Sequence, residues 1–321
     1  MHWLVRRFTT IVIVLFVALV INFAIPRLMP GNPVDVLAGG IKLTPESRQA
    51  LIERFGLDEP VWEQFRKYFI GIFRGDLGIS FRQYPLPVRD VVMDALPWTA
   101  LVMVPSVILQ AILGFVAGVT AGWKAGKKID SILQTTSLAI ISTPIFWIAM
   151  IFLYVFSFQF GWFPLSGTYT EGVTYSGTFE QITDIMKHAA LPIISFTISQ
   201  YAMYQLVLRN TMVTTLKEHY IITAEAKGLS QSRIKYLHAA RNSLLPMVTM
   251  FGMSFVMVIG ASVYIETIFS YSGLGRLMYE SVVARDYPVV QGCFLMFSVL
   301  IIGANLFVDI AYLYLDPRVR Y

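Results

Sequence analysis

The stretch WTALVMVPSVILQAILGFVAGVTAG, Trp98 to Gly122, carries no charged side chain, and its reading decides the fold class. A helix needs about 20 mainly apolar residues to cross the hydrocarbon layer of a bilayer. This run supplies them without interruption. Working outward, further stretches qualify: Phe8 to Arg27 around Ile11-Val12-Ile13-Val14-Leu15-Phe16-Val17, Ser131 to Phe158, Ala189 to Leu208, Leu245 to Phe269, and Val289 to Leu315. The span from Ala189 is the weakest, because it contains Ser195, Thr197, Ser199, Gln200 and Gln205. The expected fold is therefore all-α, a polytopic membrane protein with six transmembrane helices, a folded outer loop and a helical inner loop.

The whole-chain numbers agree. Of 321 residues, 56% are hydrophobic and 14% charged, and the mean hydropathy is +0.62. A soluble domain is nearer to about 45–50% apolar and about 25% charged, so a disordered chain is excluded and a soluble enzyme disfavoured. The single cysteine, Cys293, excludes an intrachain disulfide and a cysteine-based zinc cluster. No pair of histidines has metal-ligand spacing. The first apolar run exceeds the usual signal-peptide core and has no small-x-small site before polar sequence, so it reads as an uncleaved anchor.

The net charge of +5 is explained by where the charges lie. Arg6 and Arg7 precede the first span, and Lys124, Lys127 and Lys128 sit between the second and third. Arg209, Lys217, Lys227, Arg233, Lys235 and Arg241 lie between the fourth and fifth, with Arg318 and Arg320 after the sixth. These segments hold few acids: Asp130, Glu218, Glu225 and Asp316. The loop between the third and fourth spans is acidic, with Glu171, Glu180 and Asp184 against Lys187, and 31–97 is near balance. Basic loops stay in the cytoplasm. Both termini are expected inside, and the basic excess reports topology, not nucleic-acid binding.

Three sections follow: a tail with the first span (1–30), an extracytoplasmic helical loop (31–97) and a five-span body (98–321) with an inner loop at 209–246. In the outer loop, Thr44-Pro45 starts a helix that continues through Ile52 to a stop at Gly56. Val61 to Phe73 places Val61, Phe65, Tyr68, Phe69 and Ile72 on one face. The turn-rich Gly75-Asp76-Leu77-Gly78-Ile79-Ser80 follows, then Pro85 and Pro87 before the second span. Either a cap on the bundle or a docking surface for an outer partner fits this pattern.

The inner loop reads as helix–Gly–helix. Lys217 to Lys227 is stopped by Gly228, Ser230 caps a second helix running to Leu244, and Pro246 leads into the next span. Such a hairpin could lie on anionic lipid, imitate a DNA-binding helix-turn-helix, or serve as a knob for a cytoplasmic protein. In the last case Ala224, Ala226 and Gly228 would allow close backbone approach.

Thr223-Ala224-Glu225-Ala226-Lys227-Gly228-Leu229, followed by Arg241-Asn242-Ser243-Leu244-Leu245-Pro246, resembles the EAA loop of binding-protein-dependent ABC importer permeases. Pro30-Gly31-Asn32-Pro33, Phe55-Gly56-Leu57-Asp58, Gly75-Asp76-Leu77-Gly78 with Ser80, and Glu266-Thr267-Ile268-Phe269-Ser270 resemble its dipeptide/oligopeptide/nickel branch. Gly273-Leu274-Gly275 and Arg285-Asp286-Tyr287-Pro288-Val289 continue the likeness, which runs essentially end to end. Ile222 stands where the name-giving glutamate would fall, and Tyr271-Ser272 where the branch often has a proline before Gly-Leu-Gly.

The resemblance implies a subunit without an active site or bound cofactor, paired with a second permease in the membrane lipid. Two cytoplasmic ATPases carrying ATP and Mg, and an extracytoplasmic binding protein, would complete the importer in the cell membrane. The coupling helix maps to Lys217–Leu229, with Thr223, Ala224, Glu225, Ala226, Lys227, Gly228, Leu229 and Pro246 as coupling residues. Cargo in this branch spans short peptides, oligosaccharides and nickel complexes.

The residues independently support this division of labour. Around the single Gly-Lys pair, Gly126-Lys127, Ala121 and Lys128 stand where a phosphate loop needs glycine and a hydroxyl. An ion-driven carrier, the alternative, would want mid-membrane ionisable groups. Only Glu266, expected at an outer gate or helix–loop contact, and Asp309 qualify. A third reading is a membrane anchor that recruits an enzyme. Candidate passage-lining residues are Ser195, Ser199, Gln200, Ser254, Ser262, Met250 and Met253, with Met247 and Met257 continuing the methionine run. Methionines suit varied cargo, but they are also ordinary packing.

Overall fold

The computed structural model describes residues 2–28, 34, 44–54 and 56–315. Pro30 to Pro33, Phe55, Asp316, Arg318 and Arg320 lie outside the described residues, as do the side chains of Arg6, Arg7 and Asp309. Among the described residues the chain is helical, with one isolated β-bridge between Ile79 and Pro87. It divides into two compact units, Met1–Thr99 with Ser272–Gly303, and Ala100–Tyr271 with Ala304–Tyr321.

In the first unit, α1 (His2–Leu28) turns Leu15, Ala18, Leu19, Asn22, Phe23 and Pro26 inward at helical spacing. Val12, Ile13, Val14, Phe16, Val17 and Ile21 are exposed, as a lipid-facing surface should be. α2 (Pro45–Arg54) forms as expected and ends before Gly56. α3 (Val61–Arg74) lays Phe65 against Phe23, with ring centroids 5.1 Å apart, and Phe69 against Phe16 at 6.3 Å. Asn22 Nδ2 donates to the Tyr68 hydroxyl at 2.9 Å. Burial pushes that hydroxyl up to about 12, so it remains a neutral partner. Val61, expected on the same face, is 63% exposed. It sits at the first turn of α3, outside the aromatic contact.

The second span is α4 (Val88–Trp123), which starts well before Trp98 and runs from one unit into the other. The third is not one helix. α5 (Lys128–Ser142) and α6 (Ile145–Phe152), the latter continuing as a π-helical Leu153–Gln159, are bent by 100°. Pro144 has no N–H and its ring excludes a helical neighbour, and Thr143 before it is extended.

α7 (Thr178–Thr215) is the pillar of the second unit. In its most apolar window 56% is buried, against 22–33% for the other long helices. That explains its weak hydropathy, since it faces protein more than lipid. Gly114, Gly118 and Gly122 of α4 let it approach closely. A Cβ on each would stand 2.3 Å from that of Tyr204, 2.9 Å from that of Leu208 and 2.7 Å from that of Met212. Small residues four apart permit such backbone approach within a bilayer.

After α7 come α8 (His219–Ala226) and α9, a helical run over 231–243 wound as a π-helix at Ile234–Ala240. α10 (Leu245–Ile268) follows with Pro246 in its first turn, then α11 (Leu274–Val283) and α12 (Tyr287–Leu315).

Candidate coupling site and membrane path

The α8–α9 hairpin is built on the body of the second unit. Ile221 and Ala224 of α8 and Ile234, Ala239 and Ala240 of α9 share one buried cluster with Val119, Tyr204, Leu208, Met212 and Met247. The α4–α7 seam and the hairpin thus have a common apolar core. Ser243 Oγ adds a hydrogen bond to Thr215 Oγ1 at 3.0 Å, and Asn242 Nδ2 one to the Tyr220 hydroxyl at 2.9 Å.

The end of α8 is fixed by its backbone. Gly228 has φ +71, its N–H donates to Glu225 O at 2.9 Å, and the Leu229 N–H donates to Ala224 O at 3.3 Å. This pair of bonds is the Schellman closure, for which the left-handed residue is usually glycine. Leu229 packs back on the cluster as the closure requires. Ser230 precedes α9 but makes no side-chain capping bond.

This geometry sorts the expected coupling residues. Thr223, Glu225, Ala226, Lys227, Gly228 and Pro246 are exposed. Ala224 is only 5% exposed, so it is not an outward contact here, and Leu229 is partly buried. The three-residue spacing of Ile221 and Ala224 turns Ala224 inward. The same geometry brings out residues that the sequence reading did not count as coupling contacts: Ile222, Tyr220, Tyr236 and Leu237 are 40–56% exposed around the hairpin. The periodicity of α8 was the available signal, since an inward Ile221 and Ala224 leave Ile222 outward. The departure from the family glutamate therefore falls on a surface position.

A bidentate pair secures the neighbouring helix. Arg209 of α7 donates to both Asp130 oxygens, at 3.0 and 2.7 Å, while the Gly126 N–H and Gln134 Nε2 complete the carboxylate at 2.9 Å each. Asp130 is 1% exposed.

The candidate passage residues do not form one surface. Ser195 and Ser262 are fully buried inside the unit's own packing, and Ser254 hydrogen-bonds Tyr204 at 2.6 Å. Those three pack between helices of the unit, Ser195 from the polar face of α7 and Ser254 and Ser262 from α10. Ser199 and Gln200 are half-buried. Met247 and Met250 pack into the cluster, whereas Met253 and Met257 are exposed, together with Gly260 and Tyr264 further along the same face of α10. Glu266 is 1% exposed near the end of α10, and its carbonyl accepts the Tyr271 N–H at 2.7 Å.

In the first unit the structure joins two of the motif segments. Asp286 is buried and accepts from Ser80 Oγ at 2.5 Å, the Phe81 N–H at 3.1 Å and the Arg82 N–H at 3.0 Å. Arg82 also pairs with Glu280 at 3.0 Å. The Leu274 N–H donates to Thr99 Oγ1 at 2.7 Å.

The family described as binding-protein-dependent transport system inner membrane component matches residues 110–321, and the N-terminal region of such membrane components matches residues 1–103. The dipeptide transport system permease protein DppB of Alkalihalophilus pseudofirmus is 33% identical, covering 98% of this chain and 98% of its own. The oligopeptide transport system permease protein AppB of Bacillus subtilis is 33% identical over 99% of both chains. The glutathione transport system permease protein GsiC of Escherichia coli is 32% identical over 100% of this chain and 99% of its own. A hairpin sharing the core of its membrane helices, in a chain matched end to end, identifies a transport subunit of the cell membrane and not an enzyme: the protein belongs to the binding-protein-dependent inner membrane components, the permease subunits of ABC importers.

Proposed function

We propose that this permease forms half of the passage for short peptides and is driven through the α8–α9 hairpin. The observation that carries this reading is the shared core of the hairpin and the α4–α7 seam. A push on the exposed side of α8 is delivered to the membrane helices without an intervening flexible joint. Its exposed residues, Ile222, Thr223, Glu225, Ala226, Lys227 and Gly228, would meet the ATPase, which holds the ATP and Mg; this chain would bind no cofactor. A second, related permease completes the passage, and a binding protein delivers cargo from outside. The basic loops favour cytoplasmic termini, with α5 and α6 counted as one bent span. Peptide cargo is supported by the dipeptide, oligopeptide and glutathione permeases it resembles.

Reconstitution of the whole importer in liposomes tests the reading. Uptake of a labelled dipeptide should require the binding protein and ATP on the ATPase side. Uptake by the permease alone under a proton or sodium gradient would overturn it in favour of an ion-driven carrier. Gly228→Glu should abolish uptake while the complex still inserts and assembles.

A further inference from the structure

The break between α5 and α6 is costly unless it meets water. α5 rises about 22 Å over its length at about 1.5 Å per residue. It starts beside Lys124, Lys127 and Lys128, which belong at the headgroup level. The hydrocarbon layer is about 30 Å thick, so Ser142, Thr143 and Pro144 lie within it. There the carbonyls of Ile141, Ser142 and Thr143 and the N–H groups of Ile145 and Phe146 make no hydrogen bond among the described residues. Each such group exposed to lipid costs several kcal/mol, and irregular backbone at this depth persists only where it is covered by protein or lines a water-filled cavity. This chain does not cover it, since Ser142 and Pro144 are exposed.

Acceptors outnumber donors at the break, three carbonyls and two hydroxyl oxygens against two N–H groups. Ser142 and Thr143 donate their hydroxyl hydrogens back to Leu138 O and Ala139 O, at 2.9 and 2.8 Å. Both hydroxyl oxygens are left as acceptors beside the unpartnered carbonyls. Thr143 also borders an apolar cavity of about 250 Å³ with Ala139, Ile140, Ile148, Phe152 and Ile198.

We propose that the α5–α6 break faces the aqueous passage and is a transient binding site for peptide, its carbonyl and hydroxyl oxygens accepting the peptide's N–H donors while the cavity takes an apolar side chain. The substrate class rests on the peptide reading above; the location in the passage does not. Acceptors that recognise main-chain N–H groups read no particular sequence, which suits a carrier of varied peptides.

Single cysteines at Ser142, Thr143 and Val17 (48% exposed, on the lipid-facing side of α1) test this in the assembled importer, Cys293 being buried. A membrane-impermeant cationic methanethiosulfonate is the probe. Ser142→Cys should label on the order of tenfold or more faster than Val17→Cys, because a thiol in lipid stays protonated and unreactive. Saturating dipeptide with its binding protein and ATP should slow that labelling severalfold, and Thr143→Cys should behave alike if Ser142→Cys fails to assemble. Labelling no faster than at Val17→Cys, in an importer that still takes up dipeptide, would overturn the passage location without touching the peptide reading. Fast labelling that dipeptide does not slow would overturn the binding site.

Discussion

Gly118 and Gly228 are the same residue used for opposite reasons. Gly118 sits in a regular helix where a Cβ would meet Leu208 at 2.9 Å, while Gly228 has a left-handed backbone with nothing within 4 Å of its missing Cβ. The first lies in the seam between α4 and α7, the second on the open rim of the hairpin built on that seam. The contrast separates what holds the permease together from what it offers to others. A close-packed seam resists change because its neighbours are backbone and Cβ atoms. The rim tolerates added volume locally and fails only when a partner must fit against it.

Substitutions along this divide should grade accordingly. Gly114→Leu is expected to be the most damaging, because its Cβ alone would lie 2.3 Å from that of Tyr204. Overpacking typically costs about 1–3 kcal/mol and occasionally more; a backbone-level clash belongs at the upper end, and little assembled protein should survive extraction and size-exclusion chromatography. Asp130→Asn comes next. It leaves Arg209 without its carboxylate, a loss of about 3–5 kcal/mol for a fully buried pair and toward the low end here because Arg209 is 19% exposed. The thermal unfolding midpoint should fall, and adding Arg209→Met should recover part of the loss. In the first unit, Asp286→Ala strands the Phe81 and Arg82 N–H groups, about 1–3 kcal/mol for each left unsatisfied. Proteolysis near Ser80 should accelerate. Gly228→Ala should be mildest, about 1 kcal/mol from the left-handed backbone, with the unfolding midpoint nearly unchanged. If Gly228→Ala were as destabilising as Gly114→Leu, the distinction between seam and rim would be wrong.

Much of this was legible in the sequence. Charge-free runs located the long helices, and the Pro45, Gly56, Gly228 and Pro246 signals gave helix ends that the structure repeats, because each acts through its own backbone. Tertiary packing was not legible. The polar residues of the weakest span suggested a passage lining, yet Ser195 faces the unit's interior, since low hydropathy also marks a helix surrounded by protein. Pro144 was readable as a proline but not as a 100° bend, because prolines 97, 105 and 192 sit inside helices that continue. Ser270 and Arg285 adopt left-handed backbones at helix ends with φ of 49 and 58, where no glycine announced them. The Ser80–Asp286 contact joins residues 206 apart, a separation no local pattern encodes.

Photo-cross-linking from the two faces of α8 in the intact importer tests the coupling role most directly. A benzoylphenylalanine at Ile222 or Ala226 should capture the ATPase subunit, and one at Ala224 should react within the permease itself. Capture of lipid alone from Ile222 and Ala226, or of the ATPase from Ala224 instead, would contradict a hairpin that is buried on one side and gripped on the other.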